Sequence, residues 1–180
     1  MRADARRNYE RLLVAGREAF SERGEQASMD DIAKRAEVGP GTLYRHFPSR
    51  EALLAAVYRD DVAVMAERAA ELAGTLAPFE ALAAWLHEQL VYTKAKLGIT
   101  AVLKSMLKDD TETFEWCRDT MRDALGSLLK PAQDAGAIRS DVDQITVLRL
   151  VHGVGMASEN APETADRMLN LVIDGLRPRP

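Results

Sequence analysis

Thr42, Tyr44, Arg45 and His46 stand within one short stretch, and all four carry groups that suit a phosphate oxygen or a base edge. Arg45 is long enough for either target, and its charge is attracted to phosphate. Thr42 offers a hydroxyl to phosphate and a methyl to thymine. Tyr44 and His46 can donate to phosphate oxygens without carrying full charge. Leu43 and Phe47 alternate with them as apolar anchors. These residue types suit recognition of a nucleic-acid duplex.

The stretch 41–53 reads as a short helix, a sharp stop and the capped start of a second helix. A helix of about two turns is unstable alone, so its neighbours must hold it. Pro40 suits the first helical position and Pro48 ends the helix. Ser49 caps the next one, with Glu51 in its favourable first turn. That connecting helix runs over about residues 49–72, through Leu53, Leu54, Val57, Tyr58, Val62 and Met65.

Upstream, a helix over residues 6–23 ends at Gly24. Ser28 with Asp31 resembles a capping box and opens a helix over 29–36. Across 29–47 the spacing fits a helix-turn-helix: small Ala33 at the crossing, a turn at Glu37-Val38, then Val38 and Leu43 closing a core. The second of these helices would enter the major groove, with the first lying over the backbone. Candidate DNA-contacting residues are Ser28, Pro40, Gly41, Thr42, Tyr44, Arg45, His46 and Arg50. The N-termini of the helices at 29 and 49 offer unpaired N–H groups to phosphate. Gly39 and Gly41 let the backbone come close. Arg2, Arg6 and Arg7 fit either a solvated arm or further phosphate contacts.

Residues 28–58, from Ser28-Met29-Asp30-Asp31-Ile32-Ala33 through Thr42-Leu43-Tyr44-Arg45-His46-Phe47 to Val57-Tyr58, resemble the DNA-binding domain of the TetR family of transcriptional regulators. The likeness extends back over Ala15-Gly16-Arg17-Glu18-Ala19-Phe20-Ser21-Glu22-Arg23-Gly24 and covers the first third of the chain. It implies an all-helical homodimer with a variable C-terminal ligand domain, in which ligand binding changes the separation of two DNA-binding heads. Two positions depart from the pattern. Glu37 stands where the family usually has Gly, so a non-glycine residue has to take φ > 0 there. Arg50 stands where Lys is common, and both residues bind phosphate.

The bulk numbers agree with this assignment. The chain has 180 residues, 47% hydrophobic and 29% charged, which suits an ordinary globular protein. Net charge is −4, yet residues 1–50 carry ten Lys/Arg against eight Asp/Glu, and the remainder fourteen against twenty. An acidic body limits non-specific sticking while a local basic patch still meets phosphate. Cys117 is the single cysteine, so no intrachain disulfide forms and a cytoplasmic location is expected. Residues 1–11 lack the apolar core of a signal peptide, and no apolar run is long enough for a membrane span.

Nearly everything else reads helical, so the expected class is all-α, with no period-two strands. Helices are expected over 79–97, over 99–107 after a break at Gly98, and from about 109 with a kink at Pro131. A loop over 134–142 precedes helices over 143–158 and 162–176. The seam falls at 74–78, and the functional division is 1–50 for DNA binding and 51–180 for effector binding and dimerisation. The last two helices are apolar on more than one face, which suits a self-complementary homodimer interface. Trp85, Tyr92, Met106, Trp116, Met121 and His152 are candidates for a small-molecule effector pocket, with Phe114 and Met156 beside them. His46, His87 and His152 stand in no metal-ligand pattern, and no catalytic constellation or cofactor motif is present. A ligand-released repressor on a pseudo-palindromic operator is the leading expectation. A helical ligand-binding or scaffolding dimer whose head no longer binds DNA is the rival, supported by Glu37 and the acidic balance.

Overall fold

The computed structural model describes residues 2–178, leaving aside the side chains of residues 2, 97–101 and 104. Its eight α-helices among the described residues are α1 (Arg2–Arg23), α2 (Met29–Arg35), α3 (Pro40–His46), α4 (Arg50–Thr75), α5 (Pro78–Met106), α6 (Thr111–Asp134), α7 (Gln144–Ala157) and α8 (Ala165–Gly175). Short 3-10 turns lie at Gly24–Gln26 and Pro162–Thr164. The all-α expectation therefore holds.

The chain packs as two compact units. One comprises the residues up to Asp61 together with Gly98–Cys117. The other comprises Val62–Leu97 and the residues from Arg118 onward. These borders fall inside α4, α5 and α6, whereas the expected seam at 74–78 is only the tight turn between α4 and α5.

The first unit closes on Leu12, Phe20, Ile32, Leu43, Leu53, Leu54 and Val57, each 1% exposed or less. Val102 and Leu103 of α5, and Leu107 just after it, join the same apolar cluster, and Phe114 of α6 packs against it. Arg17 reaches from α1 to Asp60 (2.8 Å) and Asp61 (2.6 Å) on α4. The second unit buries Trp85, Leu86 and Leu90 of α5, Leu125 and Leu128 of α6, Val147 and Val151 of α7, and Leu169 of α8. The Trp85 indole donates to the carbonyl of Met65 at 2.9 Å, which satisfies its one polar atom.

Several expected boundaries move. α1 starts at Arg2 and not at residue 6. Asp4 in its first turn and an Arg6–Glu10 pair at 2.8 Å support the extra turn. α5 runs unbroken through Gly98. A lone glycine costs only about 1 kcal/mol against alanine, which the surrounding helix formers offset. α6 runs through Pro131 to Asp134, the end expected for it. Ser28 occupies the N-cap of α2, but its side chain makes no capping bond, and Asp31 pairs instead with Arg23 at 2.5 Å. The capping box is therefore absent. Ser49 does cap α4, accepting from the Ala52 N–H at 3.2 Å.

Candidate nucleic-acid interface

The turn between α2 and α3 is built by hydrogen bonds that cap a helix end. The Val38 N–H donates to the Ala33 carbonyl at 3.0 Å and the Glu37 N–H to Lys34 at 3.1 Å. This is the Schellman arrangement, which places the residue just past the helix C-cap in the left-handed region. That residue is Glu37, with φ 51°. Its carboxylate pairs with Arg11 of α1. Val38 then folds onto the apolar cluster, and Gly39 becomes the N-cap of α3.

α3 has one buried side chain, Leu43, at 0% exposure. Pro40 takes its first turn as expected, and Phe47 leaves it in an extended conformation with φ −133°. The opposite face looks outward. Gly41 and Arg45 are exposed, Tyr44 is 49% exposed, and Thr42 is half-buried. A Cβ on Gly39 or Gly41 would meet nothing within 4 Å, so the chain itself leaves this face clear. His46 is half-buried, its ring edge-on to Tyr9 of α1 at 5.9 Å. Tyr9 also lies 5.2 Å from the Phe47 ring.

The charges sort by position. Arg6, Arg7, Arg11, Arg23 and Arg35 all pair with carboxylates. Arg45 instead donates to the Gly41 carbonyl and the Thr42 hydroxyl, both at 3.1 Å. Arg50 donates to the carbonyls of Glu25 and Ala27. Neutral acceptors leave a cation's field in place, which is what phosphate senses. The Glu51 carboxyl is held below the usual range by its own backbone N–H and the Ser49 hydroxyl. These interactions, with the Ser49 cap, take up donors at the start of α4. Ser28 is exposed at the start of α2, and the Arg2 side chain lies outside the described residues.

The six pocket candidates do not fall in one unit. Met106 and Trp116 belong to the first, the other four to the second. Trp85 and Met121 are buried and Tyr92 is half-buried. His152 is exposed on α7, and Trp116 is 39% exposed with the Arg59 guanidinium 5.5 Å over its ring. Beside them, Phe114 is half-buried, its ring 6.0 Å from that of Tyr58, and Met156 is 55% exposed. Sequence reasoning missed Gln89, which is 8% exposed and donates to Thr93 at 3.4 Å. Its carbonyl oxygen has no partner among the described residues. The signal was a polar residue on the Leu82-Trp85-Leu86 stripe of α5. Tyr9 and Arg11 were missed too, since neither periodicity nor local motif ties them to α3. Among the described residues no group of three His, Cys, Asp or Glu could hold a metal ion.

Residues 12–57 match the family model described as bacterial regulatory proteins, tetR family. Residues 77–178 match the model for the C-terminal domain of SbtR-like transcriptional regulators. The HTH-type transcriptional regulator UidR of Escherichia coli strain K12 is 30% identical over 161 residues, covering 84% of this chain and 79% of its own length. The TetR transcriptional regulator SCO0520 from Streptomyces coelicolor superposes with a TM-score of 0.83 at 37% identity, over 96% of this chain and 99% of that one. A TetR transcription regulatory protein from Mycobacterium vanbaalenii gives 0.78 at 31% identity, over 98% and 99%.

Proposed function

Because the chain belongs to the TetR family of transcriptional regulators, which bind DNA and are not enzymes, we propose that it is an effector-released repressor acting as a homodimer on a pseudo-palindromic operator. The observation that carries this reading is the outward row Thr42, Tyr44 and Arg45 on α3, with the arginine bonded, among the described residues, to neutral acceptors. Residues 1–50 supply the DNA-binding face: Ser28, Pro40, Gly41, Thr42, Tyr44, Arg45 and His46 make the contacts, and Arg50 stands at their flank. Arg45 reads a base edge, and the hydroxyls and His46 hold phosphates.

Residues 51–180 bind the effector and dimerise. The exposed outer faces of α7 and α8 support the homodimer. Ile145, Met156 and Leu171 there are 47%, 55% and 66% exposed, an apolar band that a second copy would cover. Trp85, Tyr92 and Met121 are candidates for effector contact, and the open carbonyl of Gln89 supports an effector with a hydrogen-bond donor. The effector is an unidentified small molecule. Release follows from linkage: an effector that prefers the DNA-incompetent state weakens DNA binding, and DNA weakens the effector reciprocally. Such a repressor works in the cytoplasm. No helix among the described residues is long and apolar enough to cross a membrane.

The test is fluorescence anisotropy with duplexes from the DNA flanking the chain's own gene, over a series of salt concentrations. Affinity should fall steeply with salt, because each phosphate contact releases counterions. If no flanking duplex is retained even at low salt, the operator proposal fails.

A further inference from the structure

We infer that Arg50 is a positioning residue of the DNA-binding head: its guanidinium closes residues 25–50 on themselves and so sets both flanks of α3. Arg50 is the first residue of α4. Its Nη1 donates to the Glu25 carbonyl, 25 positions earlier, and to the Ala27 carbonyl at 3.4 Å. Those oxygens lie at the junction of α1 and α2. Gly24 turns there with φ 56°, and the Ala27 N–H closes the 3-10 turn on the Gly24 carbonyl at 3.2 Å. Among the described residues neither carbonyl takes a backbone N–H from the turn that follows. The arginine supplies a donor to both, and for the part-buried Ala27 carbonyl being left without one is costly.

The position also argues for this role. A cation at a helix N-terminus is opposed by the helix dipole. Carbonyl oxygens at its tip offset that repulsion. α2 and α3 both lie inside the closed segment. α3 is joined to α2 by the Schellman turn and to α4 by Pro48-Ser49. Tying the start of α4 to the entry of α2 therefore fixes the frame in which α3 is presented. Charge alone does not do this. Lysine carries the same charge, but on a flexible stem with a hydrated point ammonium instead of a planar fork.

This inference rests on the proposed DNA face only for its effect on binding, so the test has two arms. Amide hydrogen exchange on the free, full-length Arg50→Lys and Arg50→Ala variants reports the tie itself. The Ala27 and Ile32 amides, bonded to Gly24 and Ser28, should exchange faster by about tenfold, as expected for loss of a charged hydrogen bond, while Leu125 in the other unit is unchanged. The second arm is binding to a flanking duplex across salt concentrations. Both variants should lose affinity by a similar factor, with the salt slope kept. Wild-type exchange at Ala27 and Ile32 in both variants overturns the inference. So does wild-type DNA affinity in Arg50→Lys with a slope reduced by about one in Arg50→Ala, the pattern of a simple phosphate contact. If the wild-type protein binds no duplex, the DNA proposal fails and the exchange arm still decides the role of Arg50.

Discussion

Arg11 of α1 and Glu37 in the turn between α2 and α3 form an ion pair across 26 positions of sequence. Glu37 is also the one non-glycine residue with positive φ among the described residues. The end of α6 uses the same bonding pattern, with Ala137 N–H on Ala132 and Gly136 N–H on Gln133, and there the left-handed position is Gly136 at φ 68°. The head thus tolerates a side chain where the second unit uses none. A left-handed non-glycine residue costs about 1–2 kcal/mol. An exposed ion pair returns at most about 1 kcal/mol.

Glu37→Gly should therefore raise stability by about 0.5–1 kcal/mol despite losing the pair. Arg11→Ala should lower it by less than about 1 kcal/mol. Urea denaturation of both variants measures this. A clear loss of stability in Glu37→Gly would mean that the Arg11 pair outweighs the backbone strain.

Leu43 and Tyr44 are neighbours on α3 with opposite environments, 0% and 49% exposed. Leu43→Ala should cost about 2–5 kcal/mol, the range for a fully buried leucine. Tyr44→Ala should stay within about 0.5 kcal/mol. Thermal melts of the two variants check the pair, and an unchanged melting temperature for Leu43→Ala contradicts the packing of the head.

Arg45 is tucked against Gly41 and Thr42 in the free protein. If it reads a base when bound, Arg45→Ala should cost about 1–3 kcal/mol on the preferred duplex and less on others. A uniform loss across duplex sequences would make it a phosphate contact. Folding should be unaffected, because Arg45 is exposed and its acceptors are local.

Much of this head was legible because its signals are local. Pro40, Pro48 and Ser49 punctuate the chain wherever it folds, and Ala33, Val38 and Leu43 are fixed by spacing. What was not legible depends on residues far apart. Nothing near Arg50 names Glu25 and Ala27 as its acceptors, and nothing near His46 names Tyr9. Gly98 looked like a break because a glycine's cost is local, while the offsetting helix is not. His152 reads as a pocket residue because it is a polar group on an otherwise apolar helix. Periodicity shows two faces but not which one is covered, and His152 lies on the exposed one.

Tyr58 packs with its ring 6.0 Å from that of Phe114, and burial, with Cys117 nearby, pushes its phenol from 10.0 up to about 12. The folded value is raised, so the contribution to stability is complete below pH 10. It is lost as pH rises toward 12, because the unfolded chain ionises this tyrosine before the folded one does. Wild-type stability should therefore fall between pH 10 and about 12. Tyr58→Phe should remove that part of the fall, read as a shallower slope of unfolding free energy against pH. Equal slopes in the two proteins would mean that the phenol ionises freely in the native state.

Gly153 and Gly155 lie on α7, one exposed and one buried. A Cβ on Gly155 would sit 2.7 Å from Thr93 Cγ2 and 3.8 Å from Leu90 Cδ1, so either the Thr93 side chain or the approach of α7 to α5 would have to shift. Overpacking outweighs the gain in helix propensity, and Gly155→Ala should lose about 1–2 kcal/mol. A Cβ on Gly153 would meet nothing within 4 Å. In an isolated protomer Gly153→Ala should therefore gain up to about 1 kcal/mol from helix propensity. In the proposed dimer the same methyl would stand on the face that a second copy covers, beside Met156. Sedimentation equilibrium separates the two effects. Gly153→Ala should dissociate more readily than wild type, with its melting temperature becoming more dependent on concentration. A variant that is more stable and dimerises as wild type would remove the outer face of α7 from the proposed interface.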